Sequence, residues 1–154
     1  MCVQNFIRWG ILPFLVLQGV AAESSNCVDG KQTWSVNAAS FTESMTATML
    51  VVVDGVRMTA GTLAAFDENG VLRGVQDQPA VGPFGVYKGA MMYQITIYGE
   101  GDEGPTVSGP GIQLNLRFSD DCNTITLSET VSFKMNDNQG SVMTPAVNEG
   151  SYLP

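Results

Sequence analysis

Asp67-Glu68-Asn69 sets three oxygen-bearing side chains in a row ahead of Gly70, and Arg73 follows three residues later. Carboxylate and amide oxygens are calcium ligands, and paired carboxylates are the acid and base of hydrolysis. Both chemistries demand more than this stretch contains. Calcium takes about six to eight oxygens, and its Asp-x-[Asp/Asn]-x-[Asp/Asn]-Gly spacing occurs nowhere in the chain. Asn136-Asp137-Asn138-Gln139-Gly140 comes nearest, without the leading Asp or the distant Glu. A glycosidase pair needs carboxyls about 5–5.5 or 6.5–9.5 Å apart across a cleft. The candidates are Asp67, Glu68, Asp102, Glu103, Asp120 and Asp121. All fall in apparent turns, with no apolar pocket to raise a pKa. The chain has no histidine, which removes Ser-His-Asp and Cys-His nucleophiles and His-based zinc or copper sites. No catalytic residue, metal ligand or cofactor is expected; calcium and a small carboxylate-dependent hydrolase stay open as alternatives.

The elements that position these residues follow from a period of two. In MMYQITIYG, Tyr93, Ile95 and Ile97 alternate with Gln94, Thr96 and Tyr98. In GIQLNLRFS, Ile112, Leu114, Leu116 and Phe118 alternate with Gln113, Asn115 and Arg117. In NTITLSETVSFKMN, Ile125, Leu127, Val131, Phe133 and Met135 alternate with Thr, Ser and Lys. Such alternation marks half-buried strands of antiparallel sheets. Residues 44–55 run from alternation into a continuous apolar stretch, as in a central strand covered on both faces near 50–53. The Gly- and Pro-rich stretches 75–85 and 99–111 read as loops. The expected fold is all-β, a two-layer antiparallel β-sandwich of roughly seven to nine strands. Asn69-Gly70 predicts a type I′ hairpin, with Glu68 opposite Val71, Asp67 opposite Leu72, and Phe66 opposite Arg73 on one face. Gly74 beside it permits a bulge or a close backbone approach.

The N-terminus reads as a secretory signal peptide over 1–22. Arg8 supplies the positive charge, an apolar run over 11–20 is short for a membrane span, and Val20-Ala21-Ala22 offers a cleavage site. A retained membrane anchor is the alternative. Residues 23–154 then form one secreted, extracellular domain, in which six Lys and Arg face fifteen Asp and Glu. That balance argues against nucleic acid and, after signal cleavage, against anionic membranes. Cys27 and Cys122 survive cleavage, and in an oxidising compartment the pair is most simply one disulfide, with two free thiols the alternative.

Ala64-Ala65-Phe66, Arg73-Gly74-Val75, YQITIYG, LNLRF and ETVSFKMNDNQGSVMTPAV, in that order, resemble a repeat-type β-sandwich module of secreted and surface-attached bacterial proteins. In that module an AF…RGV hairpin follows a strand ending in an Asp-Gly turn, here Val53-Asp54-Gly55, and Phe133, Gly140-Ser141 and Pro145 close the domain. The resemblance covers roughly residues 34–148. Ala64, where the module tends to have glycine, and the long loop over 99–111 depart from it. It implies a non-enzymatic binding or adhesion module and brings no catalytic residues with it.

For such a module the expected partner is an extracellular glycan or protein surface. The expected site is a polar sheet face made of Gln94, Thr96 and Tyr98 with Gln113, Asn115 and Arg117, should their two strands pair as neighbours. Amides and a guanidinium suit sugar hydroxyls, and a tyrosine ring can stack on a sugar. A purely structural spacer is the further alternative.

Overall fold

A computed structural model describes residues 27–28, 31–100, 111–120 and 123–152. The expected signal peptide and Cys122 lie outside the described residues, and Cys27 is described in its backbone alone, so the disulfide stands as an expectation. The described strands, in chain order, are β1 (Cys27–Val28), β2 (Lys31–Gln32), β3 (Glu43–Val53), β4 (Val56–Arg57), β5 (Thr62–Phe66) and β6 (Leu72–Gln76). After them come β7 (Ala80–Val81), β8 (Met91–Gly99), β9 (Gln113–Asp120), β10 (Asn123–Ser132), β11 (Asn138–Gln139) and β12 (Ala146–Gly150). They form a two-layer sandwich: a four-stranded sheet in the order β10-β9-β5-β6, and a six-stranded sheet built on β3 and β8. β1 and β2 make a separate small hairpin.

The alternating residues build the core as their period requires. Met45, Ala47, Met49, Val51 and Val53 of β3, with Tyr93, Ile95 and Ile97 of β8, face Leu63 and Ala65 of β5 and Leu114, Leu116 and Phe118 of β9. Ile125, Leu127, Val131 and Phe133 complete the layer. Burying an aliphatic or aromatic side chain contributes about 1.5–3 kcal/mol before chain entropy is counted. The continuous apolar stretch of β3 is covered on both faces near its middle: Leu50 points away from the core and is still buried. Met135 breaks the pattern and is exposed. β10 ends at Ser132, and Met135 sits in the turn that follows, where Asp137 N–H donates to Lys134 O and Asn136 has φ 57°.

The sheets are joined along both long edges. On one, β6 lies against β8: Gln76 Nε2 donates to Gln94 O at 2.8 Å, and Gly74 presses on the backbone of Thr96 and Ile97. On the other, β10 bulges between Thr126 and Thr130. The bulged residues reach β12, with Ser128 Oγ donating to Glu149 O at 3.0 Å and Glu149 N–H donating to Glu129 Oε2 at 2.7 Å. β11 and β12 pair with β3 in parallel, a departure from the otherwise antiparallel ladder. β4 to β10 lie between β3 and β11 in the chain, and they supply the long crossover that parallel pairing requires.

Tyr93 is the one large polar side chain set fully into this core, edge-on to Phe118 with ring centroids 5.8 Å apart. Its hydroxyl has no hydrogen-bond partner among the described residues. Burial, then the charges of Asp120 and Tyr152, push the phenol well above its ordinary pKa. An unpaired buried hydroxyl costs its desolvation free energy, so Tyr93→Phe is expected to raise the unfolding free energy by about 1 kcal/mol in urea titration.

Candidate functional site

The 67–73 hairpin forms, with a different turn from the one the Asn-Gly pair predicts. Gly70 N–H donates to Asp67 O and Asp67 N–H to Val71 O, both at 3.0 Å. Gly70 has φ 78°, and Asn69 is not among the positive-φ residues. This is a three-residue loop, a type I turn followed by a left-handed glycine that makes a bulge. The bulge shifts the register: Phe66 pairs with Leu72 and Ala65 with Gly74, so Arg73 is not opposite Phe66. The expected Phe66–Arg73 pair is replaced by other partners.

Arg73 turns to Asp67. Its Nε and Nη2 donate to Asp67 Oδ2 at 3.0 and 2.9 Å, with both residues buried. Asp67 Oδ1 accepts from Asn69 N–H at 2.9 Å and Val71 N–H at 2.8 Å. Burial by itself would raise this carboxyl. The hydrogen bonds from Val71, Arg73 and Asn69 and the guanidinium charge outweigh it and hold the pKa below the ordinary aspartate value. Asp67 is therefore not a solvated turn acid; both its oxygens accept hydrogen bonds within the hairpin.

The six expected ligand-binding residues do not share a surface. β8 and β9 lie in opposite sheets and face each other through the core. Alternation places Gln94, Thr96 and Tyr98 on the outside of one layer and Gln113, Asn115 and Arg117 on the outside of the other. The inward residues were legible because period two fixes them; which strands pair was not. Tyr98 and Arg117 are also engaged within the chain. Tyr98 stacks on Phe41 with centroids 6.1 Å apart, and Phe41 in turn carries the Arg73 guanidinium 5.0 Å above its ring. Arg117 lies 4.6 Å over Phe66, which meets Trp34 edge-on at 5.5 Å. Segment 34–41 supplies both Trp34 and Phe41, so it straps the outside of the hairpin, and one face of the Tyr98 ring is closed to a ligand.

Gln113, one of the six, lines a concavity. An open groove of about 330 Å³ is bordered by Gln113, Thr130, Ser132, Lys134, Asp137 and Gln139. Ser132 pairs with Gln113 across β9 and β10, Thr130 continues the same polar stripe, and the turn after Ser132 brings Lys134 and Asp137 to it. β11 adds Gln139 as it joins β3, beside the Thr46 Oγ1–Asn138 Oδ1 hydrogen bond of 3.0 Å. The stripe Thr130, Ser132, Lys134 is visible in the sequence as every second residue. Its neighbours Asp137 and Gln139 become so only with the parallel return of β11.

The polar groups of this groove are loosely held. Gln113 Nε2 reaches Gly111 O at 3.4 Å, and its Oε1 takes Thr130 Oγ1 at 3.5 Å, both at the outer limit of hydrogen bonding. Lys134 Nζ stands 4.0 Å from Asp137 Oδ2 in an exposed pair, which adds little stability. A ligand can exchange with each contact at small cost. Asp137 Oδ1 also accepts from Asn138 N–H at 2.9 Å. Among the described residues, Asp137 is the one carboxylate of the lining. Among the described residues no cluster of three or more His, Cys, Asp or Glu is placed to hold a metal ion. The arrangement offers amide, hydroxyl, ammonium and carboxylate groups to a polar ligand, and no ring to stack on it. Comparison of the chain with protein-family models, curated proteins and solved structures gives no match, and the geometry carries the functional reading by itself.

Proposed function

We propose that this chain is a secreted, non-enzymatic binding or adhesion module that holds a hydroxyl-rich ligand, a glycan, in the groove of Gln113, Thr130, Ser132, Lys134, Asp137 and Gln139. The observation that supports this reading is a groove lined, among the described residues, by polar side chains, whose internal hydrogen bonds are long enough to be exchanged for ligand hydroxyls. Amides and hydroxyls each present donor and acceptor, the pairing sugar hydroxyls need. The signal-peptide reading and the resemblance to surface-attached bacterial modules agree with an extracellular partner. Without a stacking ring and in an open groove, affinity for a single glycan is weak, and useful adhesion would come from several copies acting together.

A glycan array probed with the secreted protein tests this. Gln113→Ala and Lys134→Ala are each expected to weaken binding about tenfold, the worth of one or two polar contacts. Neither should change stability by more than about 0.5 kcal/mol, as for surface substitutions. Binding left unchanged in both variants would remove the groove as the site. Failure of the wild-type protein to bind any glycan would favour the structural spacer.

A further inference from the structure

We propose that the loop over 82–90 is a second interaction site, one that seats on a lipid surface. Phe84 is 51% exposed, Val86 86% and Met143 50%, a concentration of bare apolar side chains at one place. They are together because Gly85 abuts Met143: a Cβ on Gly85 would stand 3.2 Å from Met143 Sδ. Gly82 N–H donates to Ala90 O, Gly89 N–H to Gly82 O, Ala90 N–H to Tyr87 O and Lys88 N–H to Gly85 O, so the base of the loop closes on itself and holds Phe84 and Val86 at its tip.

The rim has interfacial chemistry. Arg57 lies 5.6 Å over the Tyr87 ring, and Lys88 is exposed beside it. Long cationic side chains and tyrosine rings take positions where apolar chains end and polar headgroups begin. The chain carries a net charge of −8, yet the 82–90 loop itself contains no Asp or Glu. Net charge argues against broad attraction to anionic membranes, but at physiological salt a charge acts over about 8 Å, so the local Arg57 and Lys88 govern contact. A bilayer takes up exposed apolar side chains such as Phe84 and Val86 without a preformed complement, and anionic headgroups complement the two cations.

Co-sedimentation of the secreted protein with vesicles of phosphatidylcholine containing about 20% phosphatidylglycerol tests the proposal. The protein should pellet with these vesicles and less with phosphatidylcholine alone, and binding should weaken in about 0.5 M salt. Phe84→Ser with Val86→Ser, both at exposed positions, should lower partition about tenfold, while Gln113→Ala should leave it unchanged. No pelleting of the wild-type protein overturns the proposal, as does equal pelleting of the double variant. A concentration-dependent dimer that the same double variant abolishes, without vesicle binding, also overturns it and makes a second copy the occupant.

Discussion

Arg73→Met is expected to lower the unfolding free energy by about 3–5 kcal/mol, because it strands the buried Asp67 carboxylate without its cation. Replacing a buried ion pair with apolar residues can be nearly neutral in other settings, but not at this one. Asp67 Oδ1 accepts the Asn69 and Val71 N–H groups, so an apolar residue at 67 would orphan two backbone donors in the turn. The guanidinium also lies on Phe41, which carries Tyr98, so the loss extends to the strap over the hairpin. The pair has a pH signature as well. A carboxyl whose folded pKa is depressed contributes stability above the unfolded value, near 3.9. That contribution disappears as pH falls through the lower folded value. Urea titrations of wild-type protein should therefore show stability falling below about pH 4. Asp67→Asn with Arg73→Met should start lower and lose less over the same range. An Arg73→Met protein as stable as wild type would show that the hairpin does not depend on this pair.

Gly74→Val is expected to part the two sheets along their β6–β8 edge. A Cβ on Gly74 would stand 2.5 Å from Thr96 O and 3.3 Å from Ile97 Cα, and both are backbone of a central strand. A flexible side chain could swing aside; strand backbone cannot. Overpacking of this kind costs about 1–3 kcal/mol for a single methyl group, so Gly74→Ala sets the lower bound and Gly74→Val exceeds it. Amide hydrogen exchange should report the damage locally, with faster exchange in Leu72–Gln76 and Met91–Gly99 than in Gln113–Asp120. Uniform acceleration would mean that the edge is no separate seam.

Gly74 shows how far the sequence can be read. A glycine inside a strand pattern signals a close backbone approach, and the approach is there, although the neighbour that makes it, β8, cannot be named from one strand alone. Alternation predicts which side chains of β8, β9 and β10 turn inward, since period two leaves two faces and the apolar one is buried. It does not say which strands are neighbours. The assumption that β8 and β9 pair across the 99–111 loop placed Gln94, Thr96 and Tyr98 beside Gln113, Asn115 and Arg117. In the fold β8 and β9 belong to different layers. The turn at 67–70 was located correctly and typed wrongly, because Asn-Gly also fits a type I turn with a left-handed glycine at its end. The committed state of Asp67 was invisible for the same reason: only the bulge turns Arg73 toward it. Within the groove, Gln113 and the polar stripe of β10 were legible as outward positions. Asp137 and Gln139 join them through a parallel pairing that no local pattern announces.

The most direct test of the binding account is a titration of the isotopically labelled secreted protein with the best oligosaccharide from the array, followed by amide and side-chain chemical shifts. The account predicts shifts confined to Gln113, Thr130, Ser132 and the 134–139 turn and strand, with the Gln113 and Gln139 side-chain amides moving most. Shifts centred instead on Gln94 and Thr96, or on Asn115 and Arg117, with the groove silent, would contradict it.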